Sequence, residues 1–121
     1  MIEVNNGLTI KELVEKAHDN AVCKGFWYQK QYIPRKIKGD KERLQVEIAF
    51  INEFLTLIAS EVFEAQAELR KGNKEAFREE IADIFIRAAD LCGGLEIDIE
   101  EEIKKKMEKN KDREKMHGKL F

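Results

Sequence analysis

Proline, serine and tryptophan each occur once, at Pro34, Ser60 and Trp27. With so few breakers the chain has little to interrupt long helices. The lone serine lies inside an apolar run, with no base at a plausible distance along the chain, which argues against serine hydrolysis. Cysteine occurs only at Cys23 and Cys92, far apart and in neither a CxxC nor a Cys/His metal spacing, so two reduced thiols are expected rather than a disulfide framework or a zinc site. Neither a P-loop nor GxGxxG is present. The start, MIEVNNGLT, has no apolar signal region, and no apolar run approaches the length that spans a bilayer. These absences predict a soluble, cytoplasmic protein with no membrane partner. A chain of 121 residues is expected to form a single domain over 1–121.

Charge is abundant but unevenly placed. Residues 1–41 carry 8 basic and 5 acidic side chains, residues 42–102 carry 6 and 16, and residues 103–121 carry 8 and 3. An acidic centre therefore lies between two basic ends. Such a pattern suits a cation site flanked by groups that hold an anion, although a charge block is more often just a solvated face.

Thr9 with Glu12 forms a capping box, and Ile10, Leu13, Val14, Ala17 and Ala21 follow at helical spacing, which predicts a first helix over about 10–31. The stretch YIPRKIKGD reads as a connection. Asp40 is the expected cap of a long second helix ending at Lys71-Gly72. Its apolar residues, from Val46 to Phe63, cover more than half the circumference, so it is expected to pack on both sides, one of them against a second subunit. Asn73 caps a third helix that carries Phe77, Ile81, Ile84, Phe85, Ala88 and Leu91 and stops at Gly93-Gly94. Asp98 with Glu101 starts a fourth at about Ile99. Four helices with short connections predict an all-α, four-helix bundle-like fold that is oligomeric, as a dimer or a tetramer.

The apolar stripe of the second helix, with Phe54 and Leu57, continues as Glu61, Glu64 and Glu68, so acids stand on the line where core residues are expected. The third helix carries Glu80 and Asp83 three residues apart, with Arg87 and Asp90 on the same side. In an antiparallel hairpin around Gly72 the four acids Glu61, Glu64, Glu80 and Asp83 converge, and they cannot all stay ionised without a cation. Oxygen ligands without histidine or cysteine suit Mg²⁺ or Mn²⁺. The bland reading is an acidic face, solvated or paired with Arg87. A di-iron bundle is disfavoured because His18 and His117 lie elsewhere.

Glu61-x-x-Glu64, then 15 residues, then Glu80-Ile-Ala-Asp83 resembles the ExxE…ExxD signature of the MazG-like all-α nucleoside triphosphate pyrophosphohydrolases. KGFW at 24–27, the run Lys106-Met-Glu-Lys-Asn110-x-x-Arg113 and His117-Gly118-Lys119 extend the resemblance to roughly residues 10–119, as in the short members of that family. It implies Mg²⁺-dependent hydrolysis of a nucleoside triphosphate, foremost a deoxynucleoside triphosphate, between the α and β phosphates, to monophosphate and pyrophosphate. Glu61, Glu64, Glu80 and Asp83 would hold the metal, with Glu61 and Glu64 as equal candidates for taking the proton of the attacking water and Glu68 assisting. Lys106, Asn110 and Arg113 share one helix face and would grip phosphates.

His18 and Trp27 have the separation of a His and a Trp that hold the base in the dCTP pyrophosphatase branch. The chain departs from that branch in having Arg87 where an aromatic stands there, and Arg70-Lys71 near another. The alternative from a different class is a non-catalytic helical adaptor or nucleic-acid-binding module, resting on the basic tail and the broad apolar face. Nucleic-acid binding would weaken with salt and survive loss of Mg²⁺.

Overall fold

The computed structural model describes residues 7–113, which hold five helices and no strand. The first, α1 (Ile10–Cys23), begins at Thr9, whose Oγ1 accepts from the backbone N–H of Glu12 at 3.1 Å. It is shorter than its periodicity predicts. Gly25 sits at φ +82°, and the N–H groups of Gly25 and Phe26 bond back to Val22 and Ala21, closing a Schellman cap that the left-handed freedom of glycine permits.

The chain then restarts as α2 (Tyr28–Lys36), so the expected 10–31 helix is two helices and the bundle has five helices among the described residues, not four. Pro34 lies inside α2 rather than in a connection. Near the C-terminal end of a short helix its ring fixes a helical φ, and α2 stops two residues later.

The long α3 (Asp40–Lys71) begins one residue earlier than expected, with Gly39 at the cap and Asp40 in the first turn, where its charge suits the helix dipole. It ends where predicted, at Gly72, in the left-handed region. Asn73 caps α4 (Lys74–Gly94) through its Oδ1, and Asp98 caps α5 (Ile99–Lys111) in the same way. As the sequence predicts, α4 ends at Gly94. The cap residue in the left-handed region is Glu96, at φ +56°, and Ile97 bonds back to Cys92 at 2.9 Å. Glycine is also needed at 93 and 94 for closeness. A Cβ on Gly94 would lie 2.0 Å from the Trp27 ring, and one on Gly93 would lie 2.6 Å from Cβ of His18.

Helices α3 and α4 form an antiparallel hairpin, α1 packs on α4, α2 on α3 and α5 on α1. Their shared core is small: Ala21, Trp27, Phe54 and Leu91, with Ile58 packed against them. Trp27 stacks on Phe54 with centroids 4.3 Å apart. Burying an indole removes about 200 Å² from water, an upper estimate of about 5 kcal/mol at ~25 cal/mol per Å², so Trp27 dominates this core.

The rest of the apolar surface is poorly covered. Ile48, Leu55, Val62 and Leu69, seven residues apart along α3, are 38–64% exposed. No helix among the described residues is long and apolar enough to cross a membrane.

Candidate functional site

Antiparallel packing of α3 on α4 sets Glu61 and Glu64, one turn apart, across from Glu80. Ligand oxygens of these three carboxylates all lie within 4.8 Å of one another. Glu61 is buried at 7% exposure, Glu80 is half-buried and Glu64 faces solvent. Glu61 is thus a charged group in a core position, as the interrupted apolar stripe foretold. Asp83 stands outside this close group. It is exposed and borders, with Glu61, Arg87 and Asp90, a hollow of about 220 Å³ between α4 and the C-terminal half of α1. Glu68 is also apart, paired with Lys71 at 3.4 Å.

A cation touches the group. Arg87 Nε donates to Glu61 Oε1 at 2.7 Å, reaching across to α3 rather than back to Asp83 on its own helix. Burial acts most strongly on the Glu61 carboxyl and pushes it up. Hydrogen bonds accepted from Arg87 and Glu80, the charge of Arg87 and a hydrogen bond accepted from Glu64 outweigh it, so the net displacement is downward.

Glu80 moves the other way. Its hydrogen bond to Glu61, then burial, then the bond and charge of Glu64 push its carboxyl up to about 7. Its Oε2 is buried without a hydrogen-bond partner. Between two carboxylates, only a proton or a cation can satisfy that oxygen.

A divalent cation fits this set. Three carboxylates supply hard oxygen donors, no thiol or imidazole is among them, and the orphaned Glu80 Oε2 offers a lone pair with no competing donor. That chemistry matches Mg²⁺ or Mn²⁺ rather than zinc.

The other candidates are distributed unevenly. His18 and Trp27 do come together, but in direct contact. Their rings meet edge to face at 5.0 Å, the face of Trp27 is taken by Phe54, and Trp27 is only 6% exposed. No gap for a base separates them in this arrangement, because both rings are drawn to Asp90. Its Oδ1 accepts the indole N–H at 2.8 Å and meets His18 Nδ1 at 3.0 Å. Lys106, Asn110 and Arg113 are exposed on or just beyond α5, which packs on α1. His117, Gly118 and Lys119 lie outside the described residues.

Arg87 and Asp90 lie on the acidic side of the helix as expected, and Arg87 does pair with an acid, but with Glu61 on α3 and not with Asp83, while the role of Asp90 was not expected. The spacing of Arg87 after Asp83 was the available signal. The partners of Arg87 and Asp90, 26 and 72 positions away for Glu61 and His18, were not visible from it.

No curated protein and no solved structure matches the chain. The profile of a family described as MazG-like matches residues 42–119, which takes in both acidic helices and leaves out His18 and Trp27. That match covers well over half of the sequence, and on it the chain belongs to the MazG-like family.

Proposed function

We propose that the protein is a Mg²⁺-dependent nucleoside triphosphate pyrophosphohydrolase that cleaves between the α and β phosphates to give monophosphate and pyrophosphate. The observation that carries this reading is the three-carboxylate group with one buried, unpartnered oxygen, on a chain of the MazG-like family. When bound, a divalent cation offsets the charge that develops on phosphate oxygens and makes a neighbouring water more acidic.

The chain's own groups divide the remaining work. Glu61, held ionised by Arg87, and Glu64, open to solvent, are the candidates for accepting the water's proton. Glu80 must give up its own proton before it can bind a cation, which its position near neutrality allows at little cost. Asp83 lies outside the close group but borders the hollow beside Glu61, from where it would complete the set.

Phosphate binding by Lys106, Asn110 and Arg113 fits an oligomer, with these residues offered by α5 of another copy. The exposed row Ile48, Leu55, Val62 and Leu69 supports a homo-oligomer, because apolar side chains at such spacing are the seam of a helix pair. Two free thiols, Cys23 exposed and Cys92 buried, agree with the reducing cytoplasm.

The test is a chromatographic assay of the purified protein against canonical and modified nucleoside and deoxynucleoside triphosphates, with Mg²⁺ and with EDTA. Metal-dependent release of monophosphate and pyrophosphate is expected. A folded protein that turns over none of them, and instead binds nucleic acid in EDTA with a steep salt dependence, would make it a binding module.

A further inference from the structure

Arg87 stands at an unusual boundary. Its Nε is committed to the buried Glu61, yet its side chain is 42% exposed and borders the hollow shared with Asn20, Phe26 and Asp83. The Glu61 oxygen that it holds belongs to the same set that a divalent cation would need. A guanidinium and a divalent cation on one carboxylate repel each other, so the two compete for Glu61.

Departure of Arg87 is cheap, because its head group is already half in water and can be hydrated as it leaves. The hollow next to it is also lined by the carboxylates of Glu61, Asp83 and Asp90, so an anion would enter it only once a bound cation offsets them. A planar guanidinium with five donors matches phosphate oxygens in pairs, which a lysine cannot do.

Resting on the pyrophosphohydrolase reading above, we propose that Arg87 is a two-state counter-ion, holding Glu61 while the carboxylates are without metal and binding the substrate triphosphate once a cation has displaced it. The same residue thereby weakens metal binding in the absence of nucleotide and strengthens nucleotide binding in its presence. The metal and the triphosphate then favour each other's binding, because each relieves a conflict that Arg87 has with the other.

The experiment compares wild type with Arg87→Gln and Arg87→Lys. Mn²⁺ binding to nucleotide-free protein is followed by electron paramagnetic resonance, and KM and kcat are measured separately. In Arg87→Gln, Mn²⁺ is expected to bind several-fold more tightly, while KM for the triphosphate rises about tenfold or more and kcat changes less. Arg87→Lys keeps the charge but not the fork, so its Mn²⁺ affinity should stay near that of wild type while KM still rises.

Unchanged or weaker Mn²⁺ binding in a folded Arg87→Gln protein would overturn the competition. Tighter Mn²⁺ with an unchanged KM would overturn the phosphate contact. Wild type that binds no Mn²⁺ at all would remove the metal site itself and this inference with it, a result distinct from the other two.

Discussion

Trp27 donates its indole N–H to Asp90 Oδ1 at 2.8 Å, a buried bond that joins the turn after α1 to α4 across 63 positions of sequence. His18 meets the same oxygen at 3.0 Å, so one carboxylate fixes the edge of the central indole and anchors α1 as well. Replacing Asp90 by alanine leaves the indole donor buried without an acceptor and opens space beside it. A loss of about 1–3 kcal/mol is expected, read as a lower urea midpoint. Asp90→Asn retains one acceptor and should lose less. Equal midpoints for all three proteins would show that the bond contributes nothing.

Gly94 lies under the Trp27 ring, with no room for even a methyl group: an added Cβ would fall 2.0 Å from the indole. Gly94→Ala must therefore push the indole off Phe54 or bend α4. Overpacking of this kind costs about 1–3 kcal/mol, against the gain of a few tenths to 1 kcal/mol that Gly→Ala brings in an unobstructed helix. A reduced melting temperature is expected together with a changed tryptophan emission spectrum. A more stable Gly94→Ala protein would mean that the approach is looser than the geometry implies.

These two positions also mark how far the sequence could be read. Capping residues acted locally, so Asn73 and Asp98 were legible as helix starts and Gly72 as a stop. Glu61 and Glu64 betrayed themselves by interrupting an apolar stripe, a one-dimensional pattern. Gly93 and Gly94 were legible as the helix stop, but not the second constraint on them, the proximity of His18 and Trp27 from another helix and turn. The break at Gly25 was hidden because apolar spacing continues on both sides of it, and only the turn geometry separates α1 from α2. Asp90 gave no sign of its role, since a single acid late in a helix carries no trace of an indole 63 residues earlier.

The opposite displacements of Glu61 and Glu80 give the metal-free protein a defined pH response. Glu80 has its carboxyl pushed from an ordinary 4.5 up to about 7, so between these values the folded state holds a proton that the unfolded state has released. Stability from this group is fully present below about pH 4.5 and is lost as the pH rises through about 7. Glu61, displaced downward, contributes in the other sense and only at more acid pH. In EDTA, the melting temperature of wild type should fall relative to that of Glu80→Gln between pH 5 and pH 8. Parallel curves across that window would show that Glu80 carries no extra proton.

Removing a ligand should separate chemistry from folding. Glu64 is exposed, so Glu64→Gln alters the charge of the carboxylate group with little effect on packing. Turnover is expected to drop at least about 100-fold, within the range for loss of a group that acts on the reacting centre, while the helical circular dichroism signal stays. Asp83→Asn should behave likewise if its position beside Glu61 completes the site. Normal turnover by folded Asp83→Asn would confine the metal ligands to Glu61, Glu64 and Glu80.

The uncovered apolar row of α3 leads to the last prediction. The row Ile48, Leu55, Val62 and Leu69 supplies the apolar material, and none of its members belongs to the core of one copy. Leu55→Glu should then be nearly neutral for a monomer but disruptive for an oligomer, where it would bury a charge in the seam between copies. Light scattering at micromolar concentration is expected to give at least a dimer for wild type and a smaller species for Leu55→Glu. The substitution should also abolish activity if Lys106, Asn110 and Arg113 act on the carboxylates of another copy, although Leu55 is not part of the carboxylate group. A monomeric wild type would refute the oligomer. An oligomeric wild type with a fully active monomeric Leu55→Glu would keep the interface but return the phosphate-binding residues to the same copy.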